Sequence, residues 1–290
     1  MLRIAIVAEA PDWHCRGLAR ACARQGTSVS FVSLRDCAFS LGQTEIAVMI
    51  PGFDEHLPDA VIVRLIPAGT FEQVTFRLSL LHALSALGIH VINDARSIER
   101  CVDKSMTSFL LHRAGIPTPS TYVTERREAA ESWARERGRE VVLKPLFGAQ
   151  GRGLTRLRTD EPLPDAEETF AGVYYAQDYV GRDTEWHDYR VLVIGDQPVA
   201  AMRRWGKSWI TNVCRGAQCE SVPCKGALAD YARAAAQTVG AEYCGVDLIE
   251  DGSGALQVLE VNSMPAWAGL QKVTAFDIAA RVAAHVLAKL

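Results

Sequence analysis

The sequence lacks the features that would place it in a bilayer, on nucleic acid or outside the cell. No stretch of 18 residues is free of Asp, Glu, Lys and Arg, whereas a spanning helix needs about 20 mostly apolar residues. There are 31 basic and 34 acidic residues, a formal net charge of −3, and no Lys/Arg block. Electrostatics therefore gives no support to a nucleic-acid or membrane partner. The amino-terminal MLRIAIVAEA is too short an apolar run for a signal segment and reads as a first buried strand. The eight cysteines contain no C-x2-C pair. Cys214, Cys219 and Cys224 are evenly spaced, but not as zinc ligands usually are. Reduced thiols in a cytoplasmic protein are the expectation. A phosphate loop of the GxxxxGK[ST] type fails because Leu154 follows Gly153. A dinucleotide fingerprint is also missing, and no Ser/His/Asp or Cys/His signature is visible.

What is present suits small-molecule chemistry in a globular chain, with 49% hydrophobic and 22% charged residues over 290 positions. Apolar strands alternate with helical patterns in the first third: LRIAIVAE, a helix from about Cys15 to Gln25, VSFVSL, DAVIVRLI, the helix FEQVTFRLSLLHALSALG and the strand IHVIND. This predicts a parallel α/β lobe over 1–95. The middle, 96–180, reads as a lid lobe: one helix SIERCVDKSMTSFLLHRAG, helix REAAESWARERG, strand EVVLKP, a glycine loop, strand GLTRLR and strand VYYAQDYV. The last part, 181–290, opens with a hairpin around Gly195-Asp196, then shows helix LADYARAAAQTVG, a second hairpin and a closing helix.

Two segments carry chemistry. KPLFGAQGRGL puts three glycines after a strand-end lysine, so backbone amides can approach an anion beneath that lysine. GVDLIEDGSGALQVLEVN is a hairpin. A symmetric four-residue loop over Asp251–Gly254 would set Asp247 opposite Val258, with Glu260 and Asn262 on the same face. Like carboxylates about 4 Å apart repel by several kcal/mol at intermediate dielectric unless a cation sits between them. Hard oxygen donors beside a phosphate suit magnesium.

In order along the chain, DKSMTSFLLHRAGIPTP, VVLKPLFGAQGRG, AQDYV, DYRVLVIGDQPVAAMRR, NVCRGA and GVDLIEDGSGALQVLEVNSMP resemble the anchor segments of the ATP-grasp superfamily. Within it they are similar to the RimK-like α-L-glutamate ligases. The segments DARSIERCVDKSMTSF and EVNSMPAWAGLQKVT resemble the ligases linked to tetrahydromethanopterin-dependent one-carbon metabolism in methylotrophic bacteria. The resemblance implies an ATP-grasp fold of three lobes: an α/β lobe, a central lid and a C-terminal antiparallel-sheet lobe. It implies that Lys104 and Lys144 bind the α- and β-phosphates. The loop with Gly148, Gln150, Gly151 and Gly153 would close over the nucleotide, and Gln177, Asp178, Tyr179 and Val180 would contact adenine. Asp247, Glu260 and Asn262 would bind Mg2+, with Mn2+ as a substitute. Arg190, Arg204, Asn212 and Arg215 would hold the γ-phosphate, the acyl phosphate and a substrate carboxylate. Two departures fall near the acceptor: R-G-A where the family often has R-G-G, and EVNSMPA where it has E-V-N-x-x-P-G.

The expected activity is ATP-dependent carboxylate–amine ligation, adding L-glutamate to a small-molecule carboxylate of the tetrahydromethanopterin or methanofuran type. The alternative is glutamylation of a peptide or protein C-terminus or of an amino-group carrier, or ligation of another amino acid. A homo-oligomer, dimer or tetramer, is expected. Arg64, at the end of DAVIVRLIP, is a candidate acceptor contact. His14 and His187 are candidate bases, with ordinary core or surface roles weighed against that. Trp186, Trp205, Trp209 and Trp267 flank the site segments and suit either packing or stacking on a flat acceptor.

Overall fold

The computed structural model describes residues 1–42, 46–148, 151–159, 161–181 and 185–290. The elements in chain order are β1 (Arg3–Val7), α1 (Trp13–Ala23), β2 (Ser28–Val32), β3 (Ala38–Leu41), β4 (Ile46–Met49), β5 (Ala60–Val63), α2 (Phe71–Ala86), β6 (His90–Ile92) and α3 (Ala95–Val102). They continue with α4 (Lys104–Arg113), β7 (Thr121–Thr124), α5 (Arg127–Arg137), β8 (Val141–Lys144), β9 (Thr155–Leu157), α6 (Ala166–Phe170) and β10 (Tyr174–Asp178). The last are β11 (His187–Ile194), β12 (Gln197–Trp205), β13 (Gln218–Val222), α7 (Ala227–Val239), β14 (Tyr243–Glu250), β15 (Leu256–Asn262), α8 (Ala268–Gln271) and α9 (Ile278–Leu287). The chain forms two compact units: Met1–Ile98 with Gly240–Cys244 and Ser263–Leu290, and Glu99–Val239 with Gly245–Asn262.

The first unit is built on a parallel sheet of order β2-β1-β5-β6. Continuous apolar runs such as Ala60-Val61-Ile62-Val63, all buried, are what a sheet covered on both faces requires. Helix α2 starts on a capping box in which Thr70 accepts from the Gln73 N–H and Gln73 returns a bond to the Thr70 N–H. The hairpin β3–β4 is not evident from the sequence pattern. Three chain segments meet at the buried side chain of Asn93. Its Nδ2 donates to the carbonyls of Tyr243 and Ser263, both at 2.6 Å, and its Oδ1 accepts from the N–H groups of Glu242 and Tyr243 at 2.8 and 3.0 Å.

The second unit contains two antiparallel sheets, β7-β10-β8-β9 and β13-β12-β11-β14-β15. The smaller sheet packs Val141, Leu143 and Ala176 against Ala130 and Trp133 of α5. The hairpin expected at Gly195-Asp196 joins β11 and β12, with Gly195 at φ 65°, a conformation glycine adopts without strain.

Two expectations are corrected. The single helix read over 97–115 is two, because Asp103 leaves helical geometry (φ −80°, ψ 100°) and caps α4 through Ser105 N–H and Met106 N–H. This places Lys104 on the first turn of α4. In the carboxylate hairpin, Asp247 stands opposite Glu260, not Val258, because a bulge follows Asp247 and Val258 pairs with Leu248. The loop is also one residue longer than the symmetric reading, with Glu250 opposite Leu256. Val258 is fully buried in the core and off the carboxylate face.

Removing the Asn93 side chain leaves four buried backbone groups unpaired, each costing about 1–3 kcal/mol. Asn93→Ala is expected to lower stability by more than about 3 kcal/mol in urea unfolding, whereas a loss within 0.5 kcal/mol, roughly that of an ordinary surface change, contradicts this role.

Candidate active site

Charged side chains gather around a cavity in the second unit, between its two sheets. The enclosed part of the cavity is about 120 Å³, and the space free of atoms including its open mouth is about 850 Å³. Part of its wall is apolar, formed by Val142, Leu154, Trp209, Ile210, Ile249 and Leu259. The bulge explains the pairing of Leu259 with Glu260 in this wall, since two successive residues of a bulged strand can face the same side.

Lys104, from the first turn of α4, and Lys144, from the end of β8, both line the cavity. Lys104 Nζ donates to the carbonyls of Gly148 at 2.9 Å and Leu146 at 3.4 Å, so it reaches onto the glycine loop. Lys144 Nζ donates to Gln177 Oε1 at 2.6 Å. Gln177 is itself fixed, its Nε2 donating to Thr121 Oγ1 and Tyr175 Oη. Burial pulls the Lys144 ammonium down to about 8; the Glu260 carboxylate opposes this and Lys104 adds to it. Burial also lowers Lys104, against the pull of Glu260 and Asp103. Two ammonium groups thus share a cavity in which an anion would favour their charged forms.

Beneath them lies a buried ion network on β11, β12 and β14. Arg190 holds Asp247 through two hydrogen bonds of 2.6 Å. Arg204, 2% exposed, donates through Nε to Asp188 Oδ1 at 2.6 Å and through Nη2 to Asp188 Oδ2, and it approaches Asp247 Oδ2 at 3.1 Å. Burial acts against ionisation of Asp247, but the two guanidinium groups hold its carboxyl well below the usual carboxylate range. Asp188 and Arg204 face each other in register across β11 and β12. Asp188 belongs to the DYR segment but carries no motif of its own, so its role was not legible in the sequence.

The remaining sequence candidates fall in three groups. Gly148, Gly151, Asp178, Tyr179, Val180, Asn212 and Glu260 line the cavity together with Gln177, Arg204 and Asp247. Arg190, Arg215, Gly153 and Asn262 do not line it. Arg190 stands on Asp247, Arg215 Nη2 donates to Gly151 O at 2.9 Å, and Asn262 Nδ2 donates to Glu260 Oε1 at 3.1 Å. Gln150 lies outside the described residues.

Glycine is required at two loop positions. At Gly151 (φ 67°) a Cβ would sit 2.5 Å from Asn212 Oδ1, and at Gly153 (φ 70°) it would sit 2.7 Å from Pro145 Cγ. The Asp178 carboxylate is occupied by Arg137, at 2.9 and 2.5 Å, and the Tyr179 N–H is bonded to Glu140 O. The Val180 N–H has no partner among the described residues.

Of the candidate bases, His187 packs on Trp205 and does not line this cavity. His14 has both ring nitrogens engaged, Nδ1 with Asp12 and Nε2 accepting from Trp267 N–H. Trp209 is the one candidate tryptophan that lines the cavity. Trp205 donates to Glu220, and Trp267 is buried in the first unit.

A metal would have Glu260, the Asn262 side-chain oxygen and the remaining lone pairs of Asp247 as donors. That oxygen set fits a hard divalent cation. Among the described residues no cluster of three or more His, Cys, Asp or Glu is arranged for a metal, so such an ion would need the amide and phosphate oxygens as well.

Two antiparallel sheets that bring paired lysines, a glycine loop and a carboxylate hairpin to one cavity define an ATP-grasp ligase. The chain belongs to the RimK-like ATP-grasp family: residues 101–286 match the RimK-like ATP-grasp domain and residues 2–98 the RimK PreATP-grasp domain. It is similar to the tetrahydromethanopterin:alpha-L-glutamate ligase of Methanococcus maripaludis, 38% identical over 66% of this chain and 67% of that one. The protein of the same name from Methanocaldococcus jannaschii is 36% identical over 73% and 75%. In fold it matches the ATP-grasp ligase PsnB complexed with minimal precursor, with a TM-score of 0.78 and 22% identity over 100% of this chain and 99% of that one. Among the described residues no helix is long and apolar enough to cross a membrane.

Because the protonated Lys144 attracts polyphosphate and the neutral form does not, ATP affinity is expected to fall as pH rises through about 8. Calorimetric titration of ATP from pH 7.5 to 9.5 checks this. Lys144→Arg should flatten the profile, and a flat wild-type profile would contradict the placement of Lys144 against the nucleotide.

Proposed function

We propose that this ligase adds L-glutamate, through an acyl phosphate, to the carboxylate of a small-molecule cofactor of the tetrahydromethanopterin or methanofuran type. The observation that carries the reading is the meeting of Lys104, Lys144 and Glu260 in one cavity above the Arg190, Arg204, Asp188 and Asp247 network. The names of the relatives favour glutamate as the amine and a tetrahydromethanopterin-type acceptor.

In this reading the adenine enters the apolar wall, and the free Val180 N–H donates to the base. Lys104 and Lys144 hold the α- and β-phosphates, and the loop with Gly148, Gly151 and Gly153 covers them. Glu260 and Asn262, with the remaining lone pairs of Asp247, hold Mg2+ or Mn2+, which supplies neutralising charge at the phosphates. The acceptor carboxylate attacks the γ-phosphorus, ADP leaves, and the acyl phosphate is then attacked at carbon by the free amine of glutamate, expelling phosphate. Charge builds on the transferring phosphoryl group and then on the tetrahedral oxygen. Arg204 and Asn212, which line the cavity, would meet the first demand, Arg204 through Nη1, which has no hydrogen bond among the described residues. Arg215, attached to the loop at Gly151 O, and Arg190, behind Asp247, act by fixing those elements. Closure of the glycine loop excludes water that would hydrolyse the intermediate. A homo-oligomer in solution completes the reading.

The test is ADP release with ATP, Mg2+ and L-glutamate against a tetrahydromethanopterin-type acceptor, a furan-type acceptor and a peptide ending in glutamate. ADP formed only with a cofactor acceptor, with product mass raised by glutamyl units, is expected. Turnover with the peptide alone would replace the cofactor reading by peptide glutamylation. Glu260→Gln is expected to lower kcat by at least about 10²-fold without lowering Tm, and an active variant would overturn the role given to that hairpin.

A further inference from the structure

The first unit has a cavity of its own, beside α1. Its enclosed part is about 410 Å³, and the space including its open mouth is about 810 Å³; small-molecule sites fall at about 300–1,000 Å³. Helix α1 contributes Trp13, Gly17, Arg20 and, at its C-cap, Arg24. These follow one another at i, i+4, i+7 and i+11, a single helical face, while His14, Cys15, Leu18, Ala21 and Cys22 are buried. Trp267, Gln271, Phe276 and Asp277, from α8 and the turn into α9, complete the lining.

That second wall is held in place by its own contacts. Gln271 Nε2 donates to Phe276 O at 2.8 Å, and Gln271 Oε1 accepts from the Ile278 N–H at 2.9 Å. Trp267 packs edge-on to His14, and the Arg64 guanidinium carbon lies 4.7 Å from its ring centroid.

Two features of the cavity are not accounted for by folding. Glycine inside a helix is less stable than alanine, yet Gly17 lies within α1. A Cβ there would meet only Ala279 Cβ, at 3.5 Å, an ordinary contact. Neither the backbone nor the packing of α1 on α9 therefore requires glycine, whereas a larger side chain would take up the space that Gly17 lines. The second feature is aromatic exposure: Trp13 is 47% and Phe276 37% exposed at one cavity.

The charge around it is positive. Asp277 is the one carboxylate in the lining, and it accepts from Arg24 Nη2 at 2.7 Å and from the Ala280 N–H that opens α9. Arg20 has no side-chain partner among the described residues, and Arg281 adds a guanidinium 6.0 Å from the Phe276 ring centroid. Exposed rings suit stacking, and the free planar fork of Arg20 suits an oxyanion.

We propose that this cavity binds a small, flat aromatic molecule carrying a carboxylate or a phosphate, its ring against Trp13 and Phe276 and its anionic group on Arg20. The site is separate from the nucleotide cavity, whose lining lies wholly in the second unit, and it does not depend on which substrates the ligase joins.

The test is calorimetric titration of the full chain, in saturating ADP and Mg2+, with 2-naphthoate, 2-naphthyl phosphate, 2-naphthol and cyclohexanecarboxylate. At least one aromatic anion is expected to bind, more tightly than the uncharged ring or the non-aromatic acid, and to change a fluorescence signal that Trp13→Phe removes. The tighter of the two aromatic anions names the anionic group. Arg20→Gln is expected to weaken that binding at least about tenfold, the loss of one charge-assisted bond. Gly17→Met should weaken it as much while keeping or raising Tm, because methionine fills the cavity and favours the helix. Arg20→Gln, an exposed change, carries the test if Gly17→Met lowers Tm. No binding of either aromatic anion, displacement by ADP, or unchanged affinity in Arg20→Gln would overturn the proposal.

Discussion

The second unit is organised around the buried network of two arginines and two aspartates on β11, β12 and β14. Its charges balance, and that balance is what allows four ionised groups to sit beneath a cavity. Deleting one member leaves an uncompensated charge, a loss of about 3–5 kcal/mol in comparable buried pairs. The network also fixes geometry. Asp188 and Arg204 lock the register of β11 against β12, and Arg190 and Arg204 clamp Asp247 opposite Glu260.

The upper half of the cavity has the opposite character. Lys104 and Lys144 bring two positive charges, and the Glu260 carboxylate pulls on both. Burial depresses both ammonium groups because the cavity by itself does not supply enough negative charge. A polyphosphate supplies it. The lower network is therefore balanced in charge within itself, while the upper pair needs a ligand to balance it.

Much of this was legible in the sequence. Short-range signals served well: the parallel strands as continuous apolar runs, the hairpin at Gly195-Asp196, and the glycine loop with its strand-end lysine. The break at Asp103 was missed because residues 97–115 keep a helical pattern on both sides of a capping aspartate. The bulge after Asp247 was missed because strand register depends on cross-strand packing that alternation alone does not encode, and it moved Glu260 directly opposite Asp247. Asp188 carries no local signature; its meaning comes from the arginine sixteen positions away. The family resemblance identified most of the cavity-lining residues, but not that Arg190, Arg215 and Asn262 stand behind the lining.

The central claim is that ATP activates a carboxylate in this chain. The most direct test is oxygen transfer, using an acceptor labelled with 18O in its carboxylate and mass analysis of the released phosphate. The account predicts one 18O in the phosphate for each glutamate added, because the acyl phosphate forms through a carboxylate oxygen and breaks at the acyl carbon. Glutamylation that releases unlabelled phosphate would contradict it.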